Sequence, residues 1–357
     1  MKKILIVDDS ALMRRVFCDI INGDGRFQVT DKAVNGLDAL GYLTKNTYDA
    51  VVLDVNMPKM GGLELLKELQ KRKIPAKVMV ASTDTTEGTK TTMDALELGA
   101  LDFIHKPSNA GECRVDTFKD EFLRILEVVS ESRSPVTDKA FTFDNLKKTR
   151  QVVELARKHS SVISTNKIVA IASSTGGPKA LHSVITKLPA NLRTPVVVVQ
   201  HMPAGFTQSL AERLNSLSEI TVSEGKDGET LEKGHVYIAK GGMHLNVDMK
   251  PGGRYVLRYS DEPAREGVKP CANYMYESLR KSGFDEIVCV VMTGMGADGT
   301  KGIVNLKNAK KVHVLAQEQS TCAVYGMPKS IVQAGLADEV VPLEQLAQEI
   351  ILNVGVN

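Results

Sequence analysis

Along the first hundred or so residues, short apolar runs alternate with stretches whose apolar positions recur at helical spacing. Ile4 to Val7 precedes a helical stretch from Ser10, Ala50 to Leu53 precedes Leu63 to Gln70, Lys77 to Val80 precedes Thr91 to Leu98, and Phe103 to Ile104 closes the series. Apolar strands separated by crossover helices make a parallel sheet. The same grammar restarts at Lys167, with Ile168 to Ala172, Val196 to Val199, Ile287 to Met292 and Val312 to Leu315 as candidate buried strands. Inside that second region Gly234 to Ala239, Met243 to Val247 and Tyr255 to Tyr259 alternate and are punctuated by Gly-Gly and Pro-Gly-Gly. These predict antiparallel strands or hairpins rather than crossovers.

Between the two regions, Ser130 to Asp138 is polar with a proline, and Leu146 to His159 is a charged, weakly amphipathic helix candidate. The pattern therefore predicts an α/β domain over 1–109, a linker with some helix over 110–165, and a second α/β domain over 166–357. A length of 357 residues suits two domains that each bury a full core.

Composition narrows the class of function. Hydrophobic residues at 43% and charged ones at 25% are ordinary for a globular protein and exclude wholesale disorder. A net charge of +2 without a clustered basic stripe gives no electrostatic case for nucleic acid or an anionic membrane as partner. Cys18, Cys113, Cys271, Cys289 and Cys322 are odd in number and form no Cys-x-x-Cys pair, which suits a reducing compartment. The apolar run near Met1 is too short for a signal peptide, and no stretch approaches the roughly 18 apolar residues of a membrane span. The expectation is a cytoplasmic protein with no direct membrane insertion.

Candidate chemistry in the first region is acidic. Asp8 and Asp9 follow the first apolar strand and Asp54 follows Val51-Val52-Leu53. In an open parallel sheet these strand ends share one edge, so the three carboxylates converge in a crevice. Clustered acids repel unless a hard cation sits among them, which points to a Mg²⁺ site. Val-Asp-Asp-Ser at the start, Leu-Asp-Val-Asn-Met-Pro around Asp54, Ala-Ser-Thr after the fourth strand and Phe-Ile-His-Lys-Pro after the fifth resemble the two-component receiver family over about residues 1–107. The resemblance implies a flavodoxin-like fold in which Asp54 accepts a phosphoryl group from a histidine kinase. It further implies that Asp8, Asp9, Asp54 and the Asn56 carbonyl hold Mg²⁺, and that Ser82 and Lys106 contact the phosphoryl oxygens. Because Ala81 precedes Ser82, the phosphate sensor is Ser82 or Thr83. Phe103 resembles the family's switch aromatic.

In the second region Ser173-Ser174-Thr175-Gly176-Gly177-Pro178 follows a strand and opens a helix. A glycine-rich turn there could also bind phosphate, but neither a Walker lysine nor G-x-G-x-x-G is present. His201 follows the Val196 to Gln200 strand and Asp298 follows the Ile287 to Met292 strand, so Ser174, His201 and Asp298 all lie just beyond strand ends, where doubly wound domains put their sites. A serine hydroxyl needs an imidazole to take its proton, and the imidazole needs a carboxylate to fix its tautomer and stabilise its cation. Other histidines fit less well: His182 lies inside the following helix, His235 and His244 lie in the hairpin region, and His313 starts a strand.

Gly-x-Ser-x-Gly is absent and the order Ser, His, Asp differs from that of the α/β-hydrolases. Ser-Ser-Thr-Gly-Gly-Pro, Gln-His-Met-Pro-Ala-Gly-Phe, Thr-Gly-Met-Gly-Ala-Asp-Gly and Gly-Met-Pro at Gly326 to Pro328 instead resemble the catalytic domain of chemotaxis protein-glutamate methylesterases, over about residues 166–350. That resemblance implies a doubly wound parallel-sheet hydrolase with Ser174 as nucleophile, His201 as base and acid, and Asp298 as orienting carboxylate. The backbone near Met295, flanked by glycines that permit close approach, is the candidate oxyanion donor. It implies phosphorylation-activated hydrolysis of glutamate methyl esters on methyl-accepting chemotaxis receptors, with glutamine deamidation open and no cofactor for the esterase domain. The rival class is a receiver-controlled non-enzymatic output module, against which stands the lack of a Lys/Arg stripe or recognition-helix pattern.

Overall fold

The protein is described by a computed structural model, which covers residues 1–82, 86–106, 115–133 and 166–356. Thr83, Cys113 and the helix candidate from Leu146 to His159 lie outside the described residues. Two compact units emerge, Met1–Ala140 and Phe141–Asn357.

The first unit alternates strand and helix: β1 Lys2–Val7, α1 Ala11–Asn22, β2 Phe27–Ala33, α2 Gly36–Lys45, β3 Ala50–Asp54, α3 Gly62–Arg72, β4 Val78–Ser82, α4 Thr86–Glu97, β5 Asp102–His105 and α5 Asp116–Glu131. The strands form one five-stranded sheet in the order β2-β1-β3-β4-β5, with each pair parallel. That is the flavodoxin-like order, whose ligand crevice lies beside β1 and β3 at their carboxyl ends. β2 was not foreseen. It is an edge strand in which buried Phe27 and Ala33 bracket exposed and half-buried positions that are polar except for Val29, so it lacks the apolar run that marks the interior strands.

The segment read as linker does hold a helix, and that helix, α5, packs on the first unit. Phe122, Ile125, Leu126, Val128 and Val129 are buried, and Phe122 stacks on Phe17 of α1 with ring centroids 5.2 Å apart. The polar stretch thought to start at Ser130 begins inside its last turn, where the Ser130 hydroxyl accepts from Lys2 and the Ser130 carbonyl from Lys77.

The second unit runs β6 Lys167–Ser173, α6 Gly177–Ile185, β7 Val196–Gln200, α7 Phe206–Leu217, β8 Thr221–Glu224, β9 His235–Ile238, β10 His244–Lys250, β11 Arg254–Ser260, α8 Ala272–Ser278, β12 Glu286–Val291, α9 Thr300–Lys307, β13 Lys311–Gln317, α10 Met327–Gln333, β14 Glu339–Val341 and α11 Leu343–Val354. Its seven-stranded sheet has the order β14-β13-β12-β6-β7-β9-β8, parallel throughout. β6 lies between β7 and β12, so the chain winds outward on one side and returns to the other, placing the topological switch point beside β6. One face of the sheet is covered by Met275, Tyr276 and Leu279, by Ile303 and Leu306, by Met327 and Ile331, and by Leu245, Val247 and Leu257 of the hairpin. α11 packs on α6 and on β6, β12 and β13.

One strand is corrected here. Gly234 to Ala239 was expected to be part of an antiparallel or hairpin system, but β9 is a parallel member of the main sheet, between β7 and β8. Val236, Tyr237 and Ile238 are all buried, which a peripheral hairpin strand would not require. Only β10 and β11 form the antiparallel hairpin, in register from His244 opposite Ser260 to Lys250 opposite Arg254. No helix among the described residues is long and apolar enough to cross a membrane.

Candidate active site

Ser174 follows β6, His201 follows β7 and Asp298 lies in the loop after β12, so all three stand beyond the carboxyl ends of three strands adjacent in the sheet. In the β6–β7 ladder Ser173 pairs with Gln200, so Ser174 and His201 are the next residues on neighbouring strands, which run about 4.8 Å apart. The last cross-strand bond is from His201 N–H to the Ser173 carbonyl, at 3.1 Å. Ser174 N–H donates to the Thr293 carbonyl beyond β12 at 3.0 Å, so the serine is tied to that side as well. Gly294 makes the approach possible, since a Cβ there would lie 2.7 Å from Ser174 Cβ.

The imidazole and the carboxylate are in contact: His201 Nε2 lies 2.8 Å from Asp298 Oδ2. Asp298 is 4% exposed and accepts four further hydrogen bonds. Ala272 N–H donates to Oδ2, while Asn273 N–H, Gly299 N–H and the Cys271 thiol donate to Oδ1. Burial opposes ionisation of Asp298, yet the hydrogen bond and charge of His201, with Cys271 and Ala272, outweigh it and hold the carboxyl below its usual range. The same proximity acts in reverse on the Cys271 thiol, which burial and the Asp298 charge push up to about 12. Cys271 is therefore a neutral donor. With Nε2 committed to Asp298, the imidazole nitrogen left for a substrate or a serine is Nδ1, the reverse of the template in which Nδ1 faces the carboxylate.

Ser174 is half-buried, and its hydroxyl has no hydrogen-bond partner among the described residues. Ser173, by contrast, is fully buried and its hydroxyl donates to Gln200 Oε1 at 2.7 Å. Met295 lies between Gly294 and Gly296 and is 36% exposed, and Gly326 packs against this turn, its N–H donating to the Gly294 carbonyl at 3.0 Å.

Four supporting residues were not foreseen. Gln200 is buried and bonds to Ser173, Ser174 and His201, whereas Thr293 Oγ1 donates to the Thr175 and Val324 carbonyls. Gln317 accepts from Thr293 N–H, and Cys271 donates to Asp298. Glutamines and threonines at strand ends were the available signal, but their bonds reach backbone groups of other elements, which no spacing rule encodes.

In the first unit Asp8, Asp9 and Asp54 bring one carboxylate oxygen each within 4.8 Å of one another. Lys106 bridges two of them, with Nζ 2.6 Å from Asp8 and 2.8 Å from Asp54. Burial pushes the Asp54 carboxyl up, Lys106 pulls it down, and the Asp8 charge adds to the rise, so the net direction is upward. An all-oxygen donor set carrying excess negative charge suits a hard divalent cation such as Mg²⁺. Asn56 is exposed beside the cluster, its N–H 3.4 Å from Asp54 Oδ1. Ser82 is buried, and two of its hydroxyl's hydrogen bonds run to α4, accepting from Thr92 at 2.6 Å and donating to the Gly88 carbonyl at 3.2 Å. Phe103 is buried in β5.

A phosphoacceptor-type acid cluster and a Ser/His/Asp strand-edge site in one chain define a response regulator with a hydrolase output unit. Comparison with known proteins agrees. The family model for the CheB methylesterase matches residues 169–350, and that for the response regulator receiver domain matches residues 4–115. The protein-glutamate methylesterase/protein-glutamine glutaminase 1 of Syntrophomonas wolfei is 41% identical over 355 residues, 98% of each chain. A protein-glutamate methylesterase/protein-glutamine glutaminase of Geobacillus kaustophilus is 40% identical over 353 residues, 99% of each chain. The crystal structure of the Thermotoga maritima CheB methylesterase catalytic domain matches with a TM-score of 0.51 and 41% identity, covering 53% of this chain and all of that one. The chain belongs to the CheB methylesterase family, a family of response-regulator hydrolases.

Proposed function

We propose that this chain hydrolyses γ-glutamyl methyl esters on the signalling helices of methyl-accepting chemotaxis receptors in the cytoplasm, releasing methanol, and that phosphorylation of Asp54 by a histidine kinase raises its turnover. The observation that carries the reading is the part-buried His201–Asp298 hydrogen bond beyond strand ends, with Ser174 next beyond the neighbouring strand β6 and its hydroxyl without a partner among the described residues. Ser174 Oγ adds to the ester carbonyl as His201 Nδ1 takes its proton. The tetrahedral oxyanion is met by backbone N–H at the Met295 turn. His201 then returns the proton to the leaving methoxide, giving methanol and an acyl-enzyme. Water, deprotonated by the same nitrogen, cleaves the acyl-enzyme to glutamate and restores Ser174. Asp298 stays ionised throughout, because its fixed donors favour the anion, and it stabilises the imidazolium formed in both halves. The relatives' names also include glutaminase, and a glutamine side chain would follow the same path with ammonia as leaving group.

In the receiver, Asp8, Asp9, Asp54 and the Asn56 carbonyl would hold Mg²⁺, which when bound neutralises charge at the acid cluster. Lys106, 2.8 Å from Asp54, would meet phosphoryl oxygens on it, and Ser82 or Thr83 would serve as the sensor. The test is methanol release from a methylated receptor fragment together with labelling by a fluorophosphonate. Methanol release lost with Ser174→Ala and one labelled serine per chain supports the reading, whereas absence of both in the wild type refutes it.

A further inference from the structure

Gln200 occupies a place that neither the nucleophile nor the base can fill for itself. The last bond of the β6–β7 ladder runs from His201 N–H to the Ser173 carbonyl, so Ser174 lies beyond it and the ladder no longer holds the Ser174 main chain against that of His201. The Gln200 side chain, 2% exposed, reaches across from β7. Its Nε2 donates to the Ser174 carbonyl at 3.0 Å and to the His201 carbonyl at 3.1 Å, and its Oε1 accepts from the Ser173 hydroxyl at 2.7 Å. Every polar atom of the amide is thereby used, with both Nε2 hydrogens spent on the two residues whose side chains are proposed to react. The neighbouring turn leaves room for it: a Cβ at Gly177 would run into Gln200 Oε1, and Gly177 N–H shares the Ser174 carbonyl at 2.7 Å.

We infer that Gln200 is a positioning residue of the hydrolytic reaction, a cross-brace that fixes the Ser174 main chain against that of His201. This rests on the roles proposed above for those two residues. The brace sets the approach of Ser174 Oγ to His201 Nδ1 without touching substrate, so its loss lowers the rate of attack and leaves substrate affinity nearly unchanged. Misplacement of reacting groups by about 1 Å costs on the order of 100-fold in rate, which bounds the effect. Ser173 touches only Oε1, so its hydroxyl is dispensable by comparison.

The test uses the full chain and three variants, Gln200→Met, Gln200→Glu and Ser173→Ala, with methanol release and the rate and end point of fluorophosphonate labelling as readouts. The expected result for Gln200→Met is a fall in kcat of about 10- to 100-fold with KM within about twofold, slowed labelling, and an end point still at one label per chain. Ser173→Ala stays within about threefold of wild type. In Gln200→Glu an ionised carboxylate cannot donate, whereas the acid form, favoured by burial, regains one O–H donor. The ratio of its rate to that of wild type therefore rises as pH falls. The inference is overturned if Gln200→Met labels at the wild-type rate, if its lost activity is matched by a lost labelling end point, as unfolding would give, or, should that variant not fold, if the Gln200→Glu ratio is flat with pH. A wild type that takes no label overturns the proposed hydrolase roles instead, which keeps the two failures apart.

Discussion

Two aspartates on the carboxyl side of parallel sheets, half-buried Asp54 at the end of β3 and buried Asp298 in the loop after β12, are driven in opposite directions. Asp54 is held above the usual carboxylate range and Asp298 below it. Burial pushes both up; the difference lies in what meets the charge. Asp298 has five donors on its two oxygens, three of them backbone N–H groups that cannot move away. Asp54 has Lys106, which it shares with Asp8, and it stands in a group of three carboxylates. A carboxylate with its hydrogen bonds complete serves as a fixed part of a machine. One that is short of positive charge is a place where a cation or a phosphoryl group can still be added, and the two units of the chain differ in this respect.

The largest expected effect is on the finished site. Ser174→Ala should lower methanol release by at least about a thousandfold while Ser173→Ala leaves it nearly intact, because the second hydroxyl is buried against Gln200. Comparable losses in the two variants would mean that the wrong serine has been assigned.

His201→Ala should follow closely, and Asp298→Ala should lose about 10- to 100-fold less rate than His201→Ala, as triad members are unequal. Stability should rank them the other way. Removing the Asp298 carboxylate strips the acceptor from Ala272, Asn273 and Gly299, at about 1–3 kcal/mol for each buried N–H left unsatisfied, whereas His201 leaves no such set behind. Thermal melts in which Asp298→Ala is as stable as His201→Ala would contradict the bonding described for it.

The sign of pH dependence sharpens the comparison further. With its folded value depressed, Asp298 adds stability that is present above the ordinary carboxylate value of 3.8 and is lost as pH falls through the folded value. Asp54 has its value raised, so ionising it costs stability as pH rises past 3.8, and the cost is complete above the raised value. At neutral pH without divalent cations Asp54→Asn should therefore raise the melting midpoint of the first unit, a small effect, whereas Asp298→Asn should lower that of the second. Added Mg²⁺ should narrow the gap between wild type and Asp54→Asn, since it binds the wild-type folded state. A midpoint for Asp54→Asn below that of wild type in chelator would remove the basis of the contrast.

Both aspartates were legible in the sequence because Asp54 directly follows an apolar strand and Asp298 lies in the glycine-rich loop after another, and in an open parallel sheet such placement predicts convergence at one edge. The same rule located Ser174 and His201. It could not locate Gln200, Thr293 or Gln317, whose side chains bond to backbone groups on other strands and loops. Nor did apolar runs reveal β2, β8 and β14, which are short or edge strands with exposed or half-buried positions. β9 was mistaken for a hairpin strand because Gly-Gly beside it is also hairpin punctuation. The helix α5 was assigned to a linker because the sequence after it is polar; its buried face of Phe122, Ile125, Leu126 and Val129 shows the amphipathic pattern that places it on the first unit.

The central proposal, that phosphorylation at the acid cluster of one unit raises turnover at the proposed hydrolytic site of the other, is tested most directly by initial rates of methanol release from a methylated receptor fragment. Full-length wild type and Asp54→Asn would each be measured with and without acetyl phosphate in the presence of Mg²⁺. The account predicts a several-fold rise for wild type and an unchanged basal rate for Asp54→Asn, short of the roughly 10⁴-fold differential that complete switching between two states would demand. Equal stimulation of both proteins, or of neither, would contradict it.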